Sequence, residues 1–131
     1  MFGDFVREHR QKRRLTLRQF CAELEFDPSQ WSKIERGVLA PPKNEHMLKR
    51  IAQLLGVRPG SQPYMEMMDL AALGGGRVPA DLLSDAELAQ CLPMVFRTVR
   101  NSKPTAKELH ALAELIRENV RRHTMRRGSK T

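Results

Sequence analysis

Residues 15–37, LTLRQFCAELEFDPSQWSKIERG, constrain this chain more than any other stretch. Thr16 is placed to cap a helix whose apolar side chains, Leu17, Phe20, Cys21 and Leu24, recur at the i, i+3, i+4, i+7 spacing of a buried stripe. Asp27 can then cap a second helix. Pro28 takes its first position, where a missing N–H costs nothing, and Gln30 stands three residues after the cap. Trp31 and Ile34 are the apolar contacts of this helix, and Gly37 ends it. Only Glu25 and Phe26 separate the two helices, so they must cross at a steep angle.

A crossed pair joined by so short a turn is the helix-turn-helix arrangement, which presents its second helix to the DNA major groove. The charge agrees with a polyanionic partner: 23 Lys and Arg against 15 Asp and Glu give +8 and a pI near 10.2. Its distribution says more. Residues 1–60 hold 12 basic and 7 acidic side chains, and residues 61–120 hold 6 and 8. The last eleven residues hold Arg121, Arg122, Arg126, Arg127 and Lys130 and no acid. A cationic first half and tail flank a middle that is not cationic, which implies two separate jobs.

The rest of the chain reads as helices. Phe2, Phe5, Val6 and His9 mark an amphipathic first helix to about Arg13. After a loop held extended by Pro41 and Pro42, Asn44 caps a fourth helix bearing Met47, Leu48, Ile51, Ala52 and Leu55, which stops at Gly56. A fifth runs from Ser61 to about Leu73 with Tyr64, Met67, Met68 and Ala71 on one side. Gly74, Gly75 and Gly76 then mark a boundary. Beyond it, Ser84 with Glu87 and Thr105 with Glu108 are capping boxes for two amphipathic helices. The first carries Leu88, Cys91, Leu92, Val95, Phe96 and Val99 and should be kinked or split by Pro93. The second carries Leu109, Leu112, Ala113, Ile116 and Val120. Two such stripes cannot both be buried in so short a segment, so they need the bundle or a second copy. The expected architecture is all-α: a five-helix helix-turn-helix bundle over 1–73, a glycine linker at 74–78, a helical dimerisation or partner extension over 79–122, and a basic disordered tail at 123–131.

Residues 2–57 resemble the XRE family, the helix-turn-helix group that includes the lambdoid phage repressors and Cro proteins. LTLRQFCAEL, SKIERG at 32–37 and LKRIAQLLGV at 48–57 carry the resemblance. It implies that 28–36 is the recognition helix and that Ser29 and Lys33 occupy base-contacting positions. It also implies that Trp31 fills a core position, and that Arg10 and Glu35 form a buried ion pair tying the first helix to the recognition helix. Two departures stand out. Glu25 occupies the turn position usually given to glycine, and a left-handed non-glycine residue costs about 1 kcal/mol. Pro28 stands where some members read a base through an amide. The helices after 78 are similar to the extension of small chromosomal or mobile-element XRE regulators.

The candidate base readers are therefore Ser29, Gln30, Ser32 and Lys33, since amino-terminal side chains of a helix in the major groove reach base edges. Arg18, Arg36, Lys43 and Asn44 are candidate phosphate contacts, with Arg13 and Arg14 behind them. Cys21 and Cys91 stand in no metal-binding pattern and read as two reduced, buried thiols of a cytoplasmic protein. His9, His46, His110 and His123 show no ligand spacing, and no phosphate-binding glycine loop follows a strand. No catalytic residue, metal, cofactor or membrane span is expected. The expected function is that of a sequence-specific repressor, a homodimer on a palindromic operator in double-stranded DNA. The alternatives are an antitoxin that regulates its own promoter and holds a toxin, or an adaptor that binds protein and not DNA.

Overall fold

The computed structural model describes residues 1–128, with side chains to Asn119. Those residues form eight helices and no strand: α1 (Phe2–Lys12), α2 (Leu17–Leu24), α3 (Pro28–Glu35), α4 (Glu45–Leu55), α5 (Gln62–Gly74), α6 (Ala80–Leu83), α7 (Ala86–Ser102) and α8 (Ala106–Gly128). The all-α expectation holds. The chain divides into two compact units, Met1–Asp85 and the residues from Ala86 onward. The glycine run at 74–76 ends α5 inside the first unit and does not mark the division.

In the first unit α2, α3, α4 and α5 begin where side chains can accept their free N–H groups. Thr16 accepts from the Gln19 N–H while the Gln19 side chain accepts from the Thr16 N–H, a reciprocal box at the start of α2. Asn44 Oδ1 accepts from His46 and Met47 ahead of α4, and Ser61 accepts from Tyr64 ahead of α5. Asp27 caps α3 through the Ser29 N–H at 3.3 Å, and Gln30 takes no part in that cap. A second device holds α3 in place. Phe26, just before the cap, meets Trp31 edge-on at 5.5 Å, the hydrophobic staple that sets the angle of entry.

The stripes of α1 to α5 close on one core. Phe2, Phe5 and Val6 of α1, Phe20, Cys21 and Leu24 of α2, Trp31 and Ile34 of α3, Leu48, Ile51 and Leu55 of α4, and Met67 and Ala71 of α5 form one buried cluster, in which α1 packs on α3, α4 and α5 while α2 packs on α3 and α4. Trp31 is completely buried, stacked at a tilt on Phe20 with ring centres 5.1 Å apart. Tyr64 and Met68 are half-buried at its edge. Gly3 lets α1 touch the end of α3: a Cβ there would collide with the Glu35 carbonyl oxygen and lie 2.6 Å from that of Ile34.

Several expectations are corrected. The short α6 lies where none was read, and Ser84 belongs to its end. The Ser84 hydroxyl donates to the Asp81 carbonyl at 2.8 Å and does not start α7 as a capping box. α7 runs unsplit through Pro93. The Thr105–Glu108 box does form, at 3.3 and 3.2 Å. α8 continues past His123 to Gly128, where disordered chain was expected, and residues 129–131 lie outside the described part. Cys21 is buried, but Cys91 is exposed. An apolar period shows that a position shares a face, not that anything in the chain covers that face.

Burial, then the Glu35 charge, pushes the Cys21 thiol up to about 11, so at neutral pH it is protonated as well as shielded. The native protein should therefore expose one thiol to a chromogenic disulfide reagent, at Cys91, and a second only after unfolding. Prompt reaction of both in the native state would show that the α2 face opens.

Candidate nucleic-acid interface

The buried face of α3 is held by charge as well as by packing. Glu35 is 5% exposed, and its carboxylate accepts three hydrogen bonds. Arg10 donates through Nε to Oε2 at 3.0 Å and through Nη2 to Oε1 at 2.9 Å, and Trp31 Nε1 donates to Oε2 at 2.7 Å. Arg10 Nη1 reaches onward to the Leu15 carbonyl at 2.9 Å. The arrangement joins α1, the turn after it and α3. No buried side-chain polar atom among the described residues lacks a partner. The sequence pointed to the Arg10–Glu35 pair but not to the tryptophan N–H as its third donor. Indole spacing of i, i+4 to an acid was the available signal.

With that face fixed, the opposite face of α3 is polar. Ser29 and Gln30 are exposed, and Ser32 and Lys33 are half-buried. The end of the helix is closed by Gly37 at φ +78°: the Val38 N–H donates to the Lys33 carbonyl at 2.8 Å and the Gly37 N–H to that of Ile34 at 3.1 Å. Lys33 thus has its backbone pinned while its ammonium makes no ion pair among the described residues.

The turn between α2 and α3 repeats that geometry with Glu25 in the left-handed position, φ 58° and ψ 48°. The Phe26 N–H donates to the Cys21 carbonyl at 3.0 Å. Around it an open concavity is lined by Arg18, Cys21, Ala22, Glu25, Phe26, Asp27, Pro28 and Ser29. The structure thereby brings Arg18, at the start of α2, onto the same surface as Ser29, at the start of α3. Arg36 lines a separate depression with the loop at 37–41 and the start of α1, and its Nε donates to the Ser32 carbonyl at 3.3 Å. Lys43 is exposed just ahead of α4. Asn44 spends its side-chain oxygen on the α4 cap, which leaves its amide N–H groups for any ligand. Arg13 lies against Gly56, and Arg14 takes the left-handed position after α1. Sequence reading missed Arg50, whose Nη2 donates to the Glu23 carbonyl at 2.6 Å and ties α4 to α2.

Residues 1–62 match the family model of a helix-turn-helix domain. The chain therefore carries a helix-turn-helix domain, the kind of domain found in DNA-binding regulators, and α2, its turn and α3 are the motif. No curated protein and no solved structure matches the chain. Among the described residues no helix is long and apolar enough to cross a membrane.

Two outcomes follow. Glu35→Ala should cost about 3 to 5 kcal/mol in chemical denaturation, because it strands a buried guanidinium, whereas Arg10→Met with Glu35→Leu should cost much less than the two single losses combined. Additive losses would show that the ion pair is not buried as a unit. Glu25→Gly should raise stability by about 0.5 to 1 kcal/mol by relieving the left-handed glutamate. A loss of stability would place the strain elsewhere.

Proposed function

We propose that the chain is a sequence-specific DNA-binding transcriptional regulator of the cytoplasm, a repressor that acts as a homodimer on a palindromic operator. The observation that carries this reading is the first two turns of α3: polar side chains set on a helix whose other face is locked by Trp31, Ile34 and the Arg10–Glu35 pair. A rigid helix with a short polar start is what a major groove about 12 Å wide can admit. Lys33 can donate to guanine O6 and N7, and Ser29, Gln30 and Ser32 offer hydroxyl and amide groups to neighbouring edges. Arg18, Arg36, Lys43 and the Asn44 amide would sit on phosphates and set register without reading sequence. Glu25 and Asp27 border the same surface, and their negative charge would steer the phosphates away from the turn.

One helix reads only a few base pairs, too little against a genome of competing sites. A two-fold dimer doubles the readout, with half-sites about 34 Å apart. The exposed apolar side chains of α7 and α8 supply the surface for it. The same side chains favour a second reading, an antitoxin that represses its own promoter while these helices hold a toxin. A toxin gene beside this one would decide for it.

The test uses a duplex enriched from a random pool by the purified protein. Lys33→Ala should lose about 1 to 3 kcal/mol on that duplex and relax preference at one position. Lys43→Ala should weaken all duplexes alike and reduce the slope of log affinity against log salt by about one. Equal, sequence-independent losses for both would overturn the assignment.

A further inference from the structure

We propose that residues 119–128, the carboxy-terminal part of α8, form a second DNA contact, a cationic helix that lies in a groove of the duplex. It would bind backbone phosphates on both walls and read no sequence. This goes beyond the recognition-helix reading and does not depend on it. Charge is unevenly placed along α8. Residues 106–118 hold Lys107 and Arg117 against Glu108, Glu114 and Glu118, and Arg117 is paired with Glu114 at 3.0 Å. From Asn119 onward the chain holds Arg121, Arg122, Arg126, Arg127 and Lys130 and no acid. The helix carries all four of those arginines before it ends at Gly128. Arg122 and Arg126 stand at i, i+4, where like charges repel. A polyanion turns that repulsion into attraction, and the planar fork of arginine suits phosphate in particular.

The spacing says which polyanion. At about 100° per residue, the positions of Arg121, Arg122, Arg126 and Arg127 are spread round the helix axis, and no arc wider than about 120° lacks one. A flat anionic surface, whether a membrane or an acidic protein face, meets only one side of such a helix. The apolar positions of this stretch, Val120 and Met125, stand about 140° apart, so there is no apolar face to enter a bilayer. A major groove is different. It is about 12 Å wide, admits a helix of about 10–12 Å diameter, and sets a row of phosphates on each side of it. Residues 119–128 span about 15 Å of helix, and a duplex offers one phosphate per roughly 1.7 Å of its axis, enough for all four arginines. The same chain carries a helix-turn-helix domain over residues 1–62, the kind found in DNA-binding regulators. A duplex held by that domain is presented to α8 at a high effective concentration.

The experiment measures the affinity of the full chain for a labelled duplex of arbitrary sequence over a range of salt. Arg121→Gln, Arg122→Gln, Arg126→Gln and Arg127→Gln together should lower the slope of log affinity against log salt by about 3 to 4, at roughly 0.9 per phosphate. Changing the same four to lysine should keep the slope, because counterion release follows charge. Arg77→Gln, Arg97→Gln, Arg100→Gln and Lys107→Gln remove as much charge from exposed positions elsewhere and should lower the slope by less than about one. The proposal is overturned if the first variant keeps the wild-type slope, if the lysine variant loses it, or if the control falls as far. Anionic vesicles and a double-stranded RNA of the same sequence are titrated alongside. A larger dependence on the four arginines with either of them also overturns it and assigns the segment to that surface. Sequence preference in a random pool is read separately. A wild-type chain that selects no sequence but shows the slope change counts against the recognition-helix reading alone. A chain that selects a sequence and shows no slope change counts against the α8 contact alone.

Discussion

Glu35 is the residue on which the geometry of the first unit turns. A carboxylate this deep would be costly alone, since the desolvation of a buried ion amounts to several kcal/mol. It is tolerated because Arg10 grips it with two parallel hydrogen bonds and Trp31 supplies a third from its own helix. Those donors come from fixed directions, so the network accepts one placement of α3 relative to α1. Apolar packing alone would be more permissive, because a stripe of Trp31 and Ile34 could slide by part of a turn with modest loss. Gly3 completes the constraint by allowing the start of α1 to rest on the last carbonyls of α3. A helix that reads DNA, as proposed for α3, would need this fixity more than it needs stability. An error of about 1 Å in its placement would spoil hydrogen bonds whose useful range is only a few tenths of an ångström.

The helix ends repeat one solution. α1, α2, α3, α4 and α5 each close with a residue of positive φ followed by a backbone N–H that reaches back five residues. Glycine fills that position after α3, α4 and α5, where it carries no steric cost. Arg14 and Glu25 fill it after α1 and α2, at φ 56° and 58°. Both exceptions lie next to an anchor from the core. Leu15 accepts from Arg10, and Phe26 packs on Trp31. Tertiary contacts hold a conformation that local preference would not select.

What could be read beforehand follows from the range of the interactions concerned. Thr16, Asp27, Asn44, Ser61 and Thr105 act within three residues of themselves, so their sequence context was enough to place five helix starts. Ser84 failed because its hydroxyl had two local choices, the start of α7 behind a capping box or a carbonyl of the preceding turn, and took the second at Asp81. Arg50 on the Glu23 carbonyl was not legible, because it depends on how helices far apart in sequence meet, whereas Trp31 as a donor to Glu35 and Leu15 as an acceptor from Arg10 lie within five residues of their partners and were overlooked. Cys91 shows the opposite limit. Its face was correctly read as apolar, but coverage of a face is a property of packing partners, and periodicity carries no information about them. For the residues proposed to face DNA, the order along α3 showed which side chains could share a surface. Only the fold showed that Arg18 and Ser29 line one concavity.

The two units differ in how they meet the cost of order. The first buries fifteen apolar residues and satisfies its internal charge, so it needs nothing further to hold its shape. In α7 and the described part of α8 no residue is buried, and a lone helix of 17 residues is only marginally stable in water. Its order would therefore come largely from whatever covers its apolar face. If that cover is a second copy, folding of α7 and association are one event, and the protein concentration sets both. Operator binding by such a chain would rise more steeply than linearly with concentration, because the half-occupied state gains neither the second recognition helix nor the ordered α7. A weak dimer surface is then an advantage over a permanent one. It would let such a regulator respond to its own abundance through mass action.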